Sequence, residues 1–352
     1  MTSSIDALEQ SQGESWLAIR AARDKTRELQ NKLEAELADL VDHNCSVIVT
    51  GSLGRGEANA DSDADWFLLV DGPSNPLHAR LARDIGLRIK RVVPKDVGRT
   101  GTFGSIVASH GLVHHIAGTH DTNENLTRRI LLLAESRALT NPPVRERVIG
   151  NVLERYVRHD PSVRSKTGKR NNIPHFLLND MVRYWRTMAS DYASKMWERD
   201  REGWGIRNVK LRFSRKLLVV WGLLASFSGE LFGAWVPSDP VTDDEFLMLL
   251  SKQIGDQTRV TPLELLARVA MNERVERDTA RSIFTAYDEF LGALSDPEKR
   301  ARLASVDFKD ASDDETYDRL RTTGNLFRDG INAMFFDQHP TLKDLIRKYG
   351  VF

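Results

Sequence analysis

The chain of 352 residues contains a single cysteine, Cys45. One thiol cannot form an internal disulfide, which excludes a small fold stapled by disulfide bonds. Cys45 directly precedes an apolar run, where a buried thiol is more common than a reactive one. Four of the nine histidines lie between residues 110 and 120. They have no carboxylate at metal-binding spacing, so they predict no zinc site.

A net charge and long apolar runs are also missing. Fifty basic residues balance fifty acidic ones, so no overall field attracts the chain to nucleic acid or membrane, and any polyanion site must be local. The most apolar run, residues 217–227, is too short to span a bilayer and predicts a buried helix. Residues 1–14 are polar and show no targeting signal, so we expect a cytoplasmic protein without membrane contacts.

The most informative segment lies between residues 46 and 70. An apolar, β-branched run over residues 46–50 predicts one strand, and the run from Trp66 to Val70 predicts a second. Between them, Gly51 and Ser52 predict a turn into a short helix. Gly51 would let the backbone approach a ligand closely, and the N–H groups of a helix that begins near Ser52 would bind a polyphosphate.

Two carboxylates, Asp63 and Asp65, stand at the head of the second predicted strand. Side chains of an extended chain alternate between faces, so we expect both carboxylates on the same side. Adjacent carboxylates repel each other unless a cation lies between them, and Mg²⁺ is the ordinary occupant of an all-oxygen site beside a phosphate. The segment therefore predicts a metal site next to a phosphate site on neighbouring strands.

Gly-Ser followed eleven residues later by Asp-x-Asp at the head of a strand resembles the active-site signature of the polymerase-β-like nucleotidyltransferase superfamily. The fuller string GSLGRGE…SDAD is similar to that of protein-modifying uridylyltransferases and their uncharacterised bacterial relatives. The resemblance covers residues 44–72 firmly and extends more loosely to Asn141. A Gly-Ser turn or an Asp-rich loop alone indicates only a turn or a helix cap; the combination is specific.

The resemblance implies a role for each motif residue. Asp63 and Asp65 would ligate two Mg²⁺ ions, with Mn²⁺ as a possible substitute, and Ser52 would contact the terminal phosphates of the incoming nucleotide. Arg55 and Glu57 would stabilise the loop or the phosphates. The nucleotide-binding residues predicted in this segment are Gly51, Ser52, Arg55, Glu57 and Ser62.

A third carboxylate is harder to place. Two-metal nucleotidyl transfer usually needs one to ligate the second metal and to accept the proton of the attacking hydroxyl. The strand predicted over residues 105–108 contains no acid, which leaves Asp96 before it and Asp121 after it. We prefer Asp121 as the third catalytic residue, because Asp-Thr-Asn-Glu-Asn concentrates groups able to bind a metal, ribose or base. Alternatively, Asp121 or Thr122 caps the helix that begins near Asn125.

Periodicity divides the chain into a mixed half and a helical half. Helical spacing over residues 16–41 predicts a helix that packs against the back of the sheet, with an oligomer seam as the alternative. Further helices are predicted over residues 77–93 and 125–139. From Pro143 onward nearly every segment has helical period. We therefore expect an α+β fold, with a mixed sheet and flanking helices in residues 1–141 and a large all-helical region in residues 142–352. The resemblance implies that the sheet is of the nucleotidyltransferase type and that the helical region covers the nucleotide and the acceptor site.

Two segments of the helical half predict a triphosphate or acceptor surface. In residues 179–197, polar residues recur at three- or four-residue spacing opposite an apolar face. Four basic residues between positions 210 and 216 precede the apolar run. In the family that the chain resembles, a lysine of the helical domain commonly neutralises phosphates, so Lys210, Ser214 and Lys216 are predicted nucleotide-binding residues. A solvated surface is the alternative for each.

The chemistry predicted from this site is magnesium-dependent transfer of a nucleoside monophosphate, from ATP or another ribo- or deoxyribonucleoside triphosphate, to a hydroxyl with release of pyrophosphate. The sequence leaves the acceptor open. We lean to template-independent oligonucleotide signal synthesis in bacterial antiviral defence. The alternatives are nucleotidylation of a protein hydroxyl or of an RNA end. A rival from another class is a silent regulatory module that binds a nucleotide, a reading supported by the unresolved third carboxylate.

Overall fold

The computed structural model describes residues 3–40, 43–95, 103–163, 170–198, 203–232, 242–309 and 311–350, and for residues 195–198 it describes the backbone. The chain forms two compact units. The sheet unit consists of Arg23–Tyr184 and Ser228–Thr261, and the helical unit consists of Met1–Ala22, Trp185–Phe227 and Pro262–Phe352. Within the described ranges, no helix combines the length and apolar character needed to cross a membrane.

A mixed four-stranded sheet organises the sheet unit. Its strands are β1 (Cys45–Val49), β2 (Trp66–Val70), β3 (Ser105–Ala108) and β4 (Arg137–Ala138), in the order β3-β2-β1-β4. β1 runs antiparallel to both β2 and β4, and β2 runs parallel to β3. The α+β fold with a mixed sheet and flanking helices is thereby confirmed.

The described chain also contains helices in both units, with turns of π-helix at Leu211–Arg215, Ala333–Gln338 and Ile346–Gly350. The helices are, in chain order, α1 (Ser4–Gln12), α2 (Leu17–Leu37), α3 (Gly51–Arg55), α4 (Leu77–Val92), α5 (Ser109–His114), α6 (Asn123–Ala134), α7 (Pro142–Arg158), α8 (His175–Glu198), α9 (Trp204–Lys210), α10 (Lys216–Ser226), α11 (Ser228–Leu231), α12 (Asp243–Gln257), α13 (Pro262–Ala270), α14 (Arg277–Ser295), α15 (Pro297–Ser305), α16 (Glu315–Asn332) and α17 (Pro340–Leu345).

Every residue of β1 and β2 is buried, because helices cover both faces of the sheet. On one face, the alternate β1 and β2 residues form a core with Leu33 and Leu37 of α2 and with Ile85 and Ile89 of α4. The predicted packing of the long N-terminal helix against the sheet is thus confirmed. Two further helices contact the sheet: α5 contacts β3, and α7 contacts β1 and α5.

One strand lies where the sequence predicts helix. The helix expected over residues 125–139 ends at Ala134, and β4 follows it. β4 pairs with Ile48 and Val49, and beyond it the N–H of Leu139 donates to the carbonyl of Val47 over 2.8 Å. These bonds satisfy the edge of β1, and this tertiary pairing overrides the local helical pattern.

Other expectations from the sequence agree with the structure. The predicted strand over residues 66–70 is β2, and Cys45 is buried. The apolar run 217–227 lies mostly in α10, whose two central turns are almost entirely buried. From Pro143 onward, the described residues contain helices but no strand. The predicted domain boundary after residue 141 stays a prediction.

The helical unit has a core of its own. α14 packs along α16, and α10 packs along α13. Four aromatic side chains are fully buried between these elements and the π-helical turn at Leu211–Arg215. Phe213 stacks on Phe290 with ring centroids 4.5 Å apart and planes 3° apart, and Tyr287 and Phe327 complete the cluster. Offset stacking of this kind adds to the free energy gained by apolar burial.

Candidate active site

The turn after β1 brings Gly51 against the carboxylate of Asp65. Gly51 has a φ of +65°, and a Cβ added there would lie 2.8 Å from Oδ2 of Asp65. The N–H of Thr50 donates to the carbonyl of Asp65 over 2.8 Å, which ties the end of β1 to the start of β2. Only glycine combines this left-handed backbone with so close an approach to a carboxylate.

The two aspartates flank a buried alanine. Ala64 is 1% exposed and belongs to the same core as Trp66, whereas Asp63 and Asp65 are half-buried. In an extended segment, residues on either side of an inward-facing residue lie on the opposite face. This alternation agrees with the expectation that both carboxylates occupy one side, next to the turn at Gly51.

Two predicted nucleotide-binding serines are also brought together. The hydroxyl of Ser52 lies 3.2 Å from the hydroxyl of Ser62. The Ser62 hydroxyl accepts a hydrogen bond from the N–H of Asn59 over 3.0 Å, which holds the turn that leads into Asp63. The structure therefore brings the hydroxyl of the Gly-Ser turn next to the hydroxyl that directly precedes Asp63.

A buried carboxylate that the sequence did not reveal holds this turn in place. Oε1 of Glu135 accepts a hydrogen bond from the N–H of Gly51 over 3.0 Å, and Oε2 pairs with the guanidinium of Arg55. Arg55 also pairs with Glu57, its Nε lying 2.8 Å from Oε2. The side chains of Glu57 and Glu135 are each 4% exposed. Two carboxylates thus occupy Arg55, which favours a loop-stabilising role over a phosphate-binding one.

Backbone packing fixes Glu135 against α3. A Cβ on Gly54 would lie 1.7 Å from the carbonyl oxygen of Glu135. Glycine at position 54 therefore allows the two segments to touch. The sequence signal for Glu135 is an acid at the end of a long apolar stretch, 80 residues from Arg55. Since that stretch reads as helix, its neighbours in space are not visible in the sequence.

The start of α3 leaves fewer backbone N–H groups open than the sequence predicts. Glu135 occupies the N–H of Gly51, whereas the N–H groups of Ser52 and Leu53 have no hydrogen-bond partner in the described part of the chain. Backbone N–H groups left open at the start of a helix are suited to an anion. Ser52 thus combines an open N–H with a hydroxyl.

Asp121 lies in a different environment from the one its predicted catalytic role requires. Its side chain is 1% exposed and forms a bidentate pair with Arg129, over 3.1 and 2.9 Å. Arg183 approaches the same carboxylate to 2.8 Å and its carbonyl to 2.6 Å. Burial raises the pKa of Asp121, but the hydrogen bonds and charges of Arg129 and Arg183 outweigh it and lower the pKa below its usual value.

The same network includes two further buried groups. Arg129 donates to Oδ2 of Asp180 over 2.8 Å and to the hydroxyl of Tyr156 over 2.7 Å, and this hydroxyl donates to Asp180 over 2.6 Å. Burial raises the pKa of Tyr156 well above its usual value, so the phenol stays neutral. Asp180 is therefore part of a core ion-pair network, which corrects its place in the polar surface expected over residues 179–197.

These contacts favour a structural role for Asp121, and its catalytic role stays a prediction. A carboxylate whose two oxygens are already paired with two guanidinium groups is a poor metal ligand, because their positive charges repel a cation. The capping alternative is seen at Thr122, whose hydroxyl accepts from the N–H of Asn125 over 3.1 Å. Asp96 lies outside the described residues.

Lys210, Ser214 and Lys216 belong to the helical unit. Lys210 ends α9, Ser214 is buried in the π-helical turn, and Lys216 begins α10. Burial lowers the pKa of Lys216, and the nearby charges of Arg328 and Arg212 lower it further. Their predicted contacts with a nucleotide stay a prediction.

The aspartate pair fits a divalent cation that shares its ligands with substrate. Among the described residues, no group of three or more histidine, cysteine, aspartate or glutamate side chains is arranged to hold a metal. Mg²⁺ is, however, commonly held by one or two carboxylates together with substrate phosphates and water. Asp63 and Asp65 meet that smaller requirement, next to open N–H and hydroxyl groups.

Comparison with known proteins identifies the domain that contains this site. Residues 31–108 match the family described as nucleotidyltransferase domain. The match runs from the C-terminal part of α2 through β3 and includes the Gly-Ser turn and both aspartates. It confirms the predicted polymerase-β-like nucleotidyltransferase superfamily and a nucleotidyltransferase activity, which implies a nucleoside triphosphate as substrate. No curated protein and no solved structure shows significant similarity to the chain.

The contact between Gly51 and Asp65 predicts a binding defect. Replacement of Gly51 by alanine should displace the Asp65 carboxylate, since its Cβ would lie 2.8 Å from Oδ2. Loss of a charge-assisted contact costs about 1.5–3 kcal/mol, so we expect at least a roughly tenfold weaker affinity for a labelled nucleoside triphosphate with Mg²⁺.

Gly13→Ala is the matched control. Gly13 also has a positive φ, +68°, but nothing lies within 4 Å of an added Cβ. This variant should lose about 1–2 kcal/mol of stability from backbone strain alone and bind nucleotide as the wild type does. Wild-type nucleotide affinity in Gly51→Ala would contradict the proposed packing.

The buried network around Asp121 predicts a pH-dependent stability. Because the folded-state pKa of Asp121 is lowered, its ionised form stabilises the fold above the unfolded pKa of about 3.9, and this stabilisation is lost as the pH falls through the lower folded-state value. Asp121→Asn should cost about 3–5 kcal/mol at pH 7, since it leaves Arg129 and Arg183 partly unpaired in a buried site.

Chemical denaturation at pH 7 and at pH 3 measures both effects. The difference in the free energy of unfolding between Asp121→Asn and wild type should be smaller at pH 3 than at pH 7. Asp24→Asn, which removes an exposed partner of Arg27, should change stability by less than about 1 kcal/mol. A fully stable Asp121→Asn protein without transferase activity would instead support the catalytic assignment.

Proposed function

We propose that this nucleotidyltransferase uses a divalent cation to transfer a nucleoside monophosphate from a nucleoside triphosphate to a hydroxyl acceptor. The oxygen of the acceptor forms a bond to the α-phosphorus, the bond to the β-phosphate oxygen breaks, and pyrophosphate leaves. The observation that carries this proposal is the position of Asp65 against Gly51, beside the hydroxyls of Ser52 and Ser62.

Asp63 and Asp65 would hold the cation, in the predicted case two Mg²⁺ ions. When bound, such ions lower the pKa of an attacking hydroxyl and neutralise the charge that develops on pyrophosphate. Burial of Ala64 and Trp66 in the core supports this role, since it would direct the two carboxylates to the opposite face of the segment. This rigid support fixes the carboxylates before substrate arrives, which lowers the free energy needed to organise the site.

The Gly-Ser turn would bind the β- and γ-phosphates. The N–H and hydroxyl of Ser52 supply donors, and the N–H of Leu53 adds another. Glu135 keeps the turn in place through Gly51 and Arg55. Because Glu135 is negatively charged and nearly fully buried, it acts on substrate by positioning the turn and not by direct contact.

For the acceptor, we favour another nucleotide, so that the product is a short oligonucleotide made without a template. The large helical region beyond the sheet supports this choice, since the smallest members of the superfamily, which modify antibiotics, lack such a region. Transfer to a protein hydroxyl or to an RNA end remains the alternative. A role in antiviral defence rests on this same architecture and stays a prediction.

One observation favours a different class of function. β3, the strand next to the aspartate pair, consists of Ser105–Ala108 and carries no acid. A third carboxylate is therefore missing from the strand where two-metal transfer would place it. A catalytically silent domain that binds a nucleotide and regulates a partner would need none.

Incubation of the purified chain with each labelled nucleoside triphosphate and Mg²⁺ separates these functions. Ladders of products indicate polymerisation, and label on protein indicates nucleotidylation. The combined change Asp63→Asn and Asp65→Asn should abolish pyrophosphate release and leave stability within about 1 kcal/mol of wild type, or higher where repulsion is relieved.

Asp61→Asn is the matched control, because Asp61 is an exposed acid in the same loop. It removes one charge near the site and should retain activity. Pyrophosphate release that survives in the Asp63 and Asp65 variant would remove the proposed function. Nucleotide binding with no pyrophosphate release from any acceptor would support the silent domain.

A further inference from the structure

A cavity rich in arginine lies in the sheet unit, apart from the aspartate pair. Its volume is about 600 Å³, and it is lined by residues of α2, the C-terminal end of α3, β4, the start of α7 and the segment after α12. Neither Asp63 nor Asp65, and neither Ser52 nor Ser62, belongs to its lining. A volume of this size accommodates a ligand as large as a nucleotide.

Positive charge dominates the wall of this cavity. Two glutamates line it, and Arg55 and the N–H of Gly51 occupy one of them, Glu135. The arginines that line it are Arg23, Arg27, Arg137, Arg145 and Arg259. Cavity walls of one sign concentrate the field and attract ions of the opposite sign.

Two exposed arginines of the lining, Arg137 and Arg259, form only weak ion pairs, and we call them the rim arginines. Arg137 lies 3.3 Å from Glu34, and Arg259 lies 3.6 Å from Asp256. The guanidinium side chains in both pairs are more than half exposed. Exposed pairs of this kind contribute about 1 kcal/mol or less, so an anionic ligand displaces them at little cost.

Arg145 differs from the rim arginines because it is buried and has no carboxylate partner among the described residues. It is 8% exposed, and it donates to the hydroxyl of Ser136 over 2.7 Å and to the carbonyl of Thr258 over 2.9 Å. Neutral acceptors do not balance the charge of a buried guanidinium. An anion bound in the cavity would balance the charge of Arg145.

The neighbours of Arg145 increase this need. Burial lowers the pKa of Arg145 to about 10; Glu146 opposes this lowering, whereas the charges of Arg259 and Arg137 add to it. Arg145 therefore lies close enough to Arg137 and to Arg259 for their charges to repel its own. Natural proteins seldom bury a cation next to like charges without a ligand that compensates it.

We propose that this cavity is a second anion site, which binds a phosphate-bearing ligand through Arg145, Arg137 and Arg259. The guanidinium fork matches both phosphate and carboxylate oxygens in bidentate geometry. Because three guanidinium groups line one cavity, we expect a phosphate-bearing ligand, which carries more than one negative charge, to bind more tightly than a carboxylate with a single charge. The lining contains no aromatic side chain for base stacking. Recognition therefore goes through phosphate groups, which pyrophosphate, a nucleotide and an oligonucleotide all carry.

The cavity adjoins α3 and Glu135, which hold the Gly-Ser turn of the proposed active site. Gly54 and Gly56, at the end of α3, line the cavity together with Glu135. The same α3 begins at Gly51, whose N–H is held by Glu135. A ligand in the cavity thus touches the helix and the residue that hold the proposed nucleotide cradle, although the binding proposal does not depend on transferase activity.

Calorimetric titration of the Asp63→Asn and Asp65→Asn protein without metal reduces the contribution of the proposed catalytic site, because no cation then links phosphates to the aspartates, and the arginine variants below assign the remaining binding to the cavity. Inorganic pyrophosphate, ADP and a short oligonucleotide serve as probes, and the strongest binder identifies the source of the phosphate. We expect one pyrophosphate per chain. Arg137→Gln and Arg259→Gln should each weaken it at least about tenfold, the loss expected for a charge-assisted hydrogen bond.

Arg80→Gln is the control, because Arg80 is an exposed arginine outside the cavity; it should leave the affinity unchanged. Arg145→Gln should abolish binding, and thermal melting establishes whether that variant is folded. Absence of binding by all three probes, or equal affinity in Arg137→Gln, Arg259→Gln and wild type, would overturn the proposal. Since the assay needs no turnover, its failure leaves the proposed transferase function standing.

Discussion

The proposed active site depends on one buried interaction, the contact of Glu135 with the turn at Gly51. The carboxylate of Glu135 accepts a hydrogen bond from the N–H of Gly51 and forms an ion pair with Arg55. The backbone carbonyl of Glu135 packs against Gly54, where a Cβ would clash with it. Gly51 in turn approaches the carboxylate of Asp65 so closely that a methyl group would clash. Glu135 thus acts on Asp65 through Gly51, which it holds by a hydrogen bond. Burying this charge is costly, and the cost is offset because each of its two oxygens accepts a hydrogen bond, one of them from a guanidinium.

Local sequence predicted the elements on either side of this contact. The runs that form β1 and β2, the short helix between them and the alternation of Asp63, Ala64 and Asp65 follow from periodicity and turn chemistry, since each depends on neighbouring residues alone. The family match over residues 31–108 agrees with the resemblance that these motifs carry. What local pattern did not reveal depends on contacts between distant residues. β4 forms because the edge of β1 needs partners, and Glu135 reaches Gly51 across 84 positions.

Asp121 is a second residue whose environment depends on contacts that the sequence does not reveal. An acid in a polar loop after a strand has the local sequence expected of a catalytic carboxylate. The sequence does not show that the side chain of Arg129, eight positions later, pairs with it. The buried partners Asp180 and Tyr156 come from α8 and α7. Because desolvation and ion pairing are properties of the folded environment, residue type and spacing did not separate a structural carboxylate from a catalytic one.

The central claim is that Asp63 and Asp65 hold a divalent cation beside the phosphates of a nucleoside triphosphate. A crystal structure with Mn²⁺ and a non-hydrolysable triphosphate tests it most directly, because the anomalous signal locates the metal without reference to activity. The account predicts a peak within about 2.3 Å of oxygens from both aspartates, with the triphosphate against Ser52. Metal and triphosphate bound elsewhere, with both carboxylates facing solvent, would contradict it.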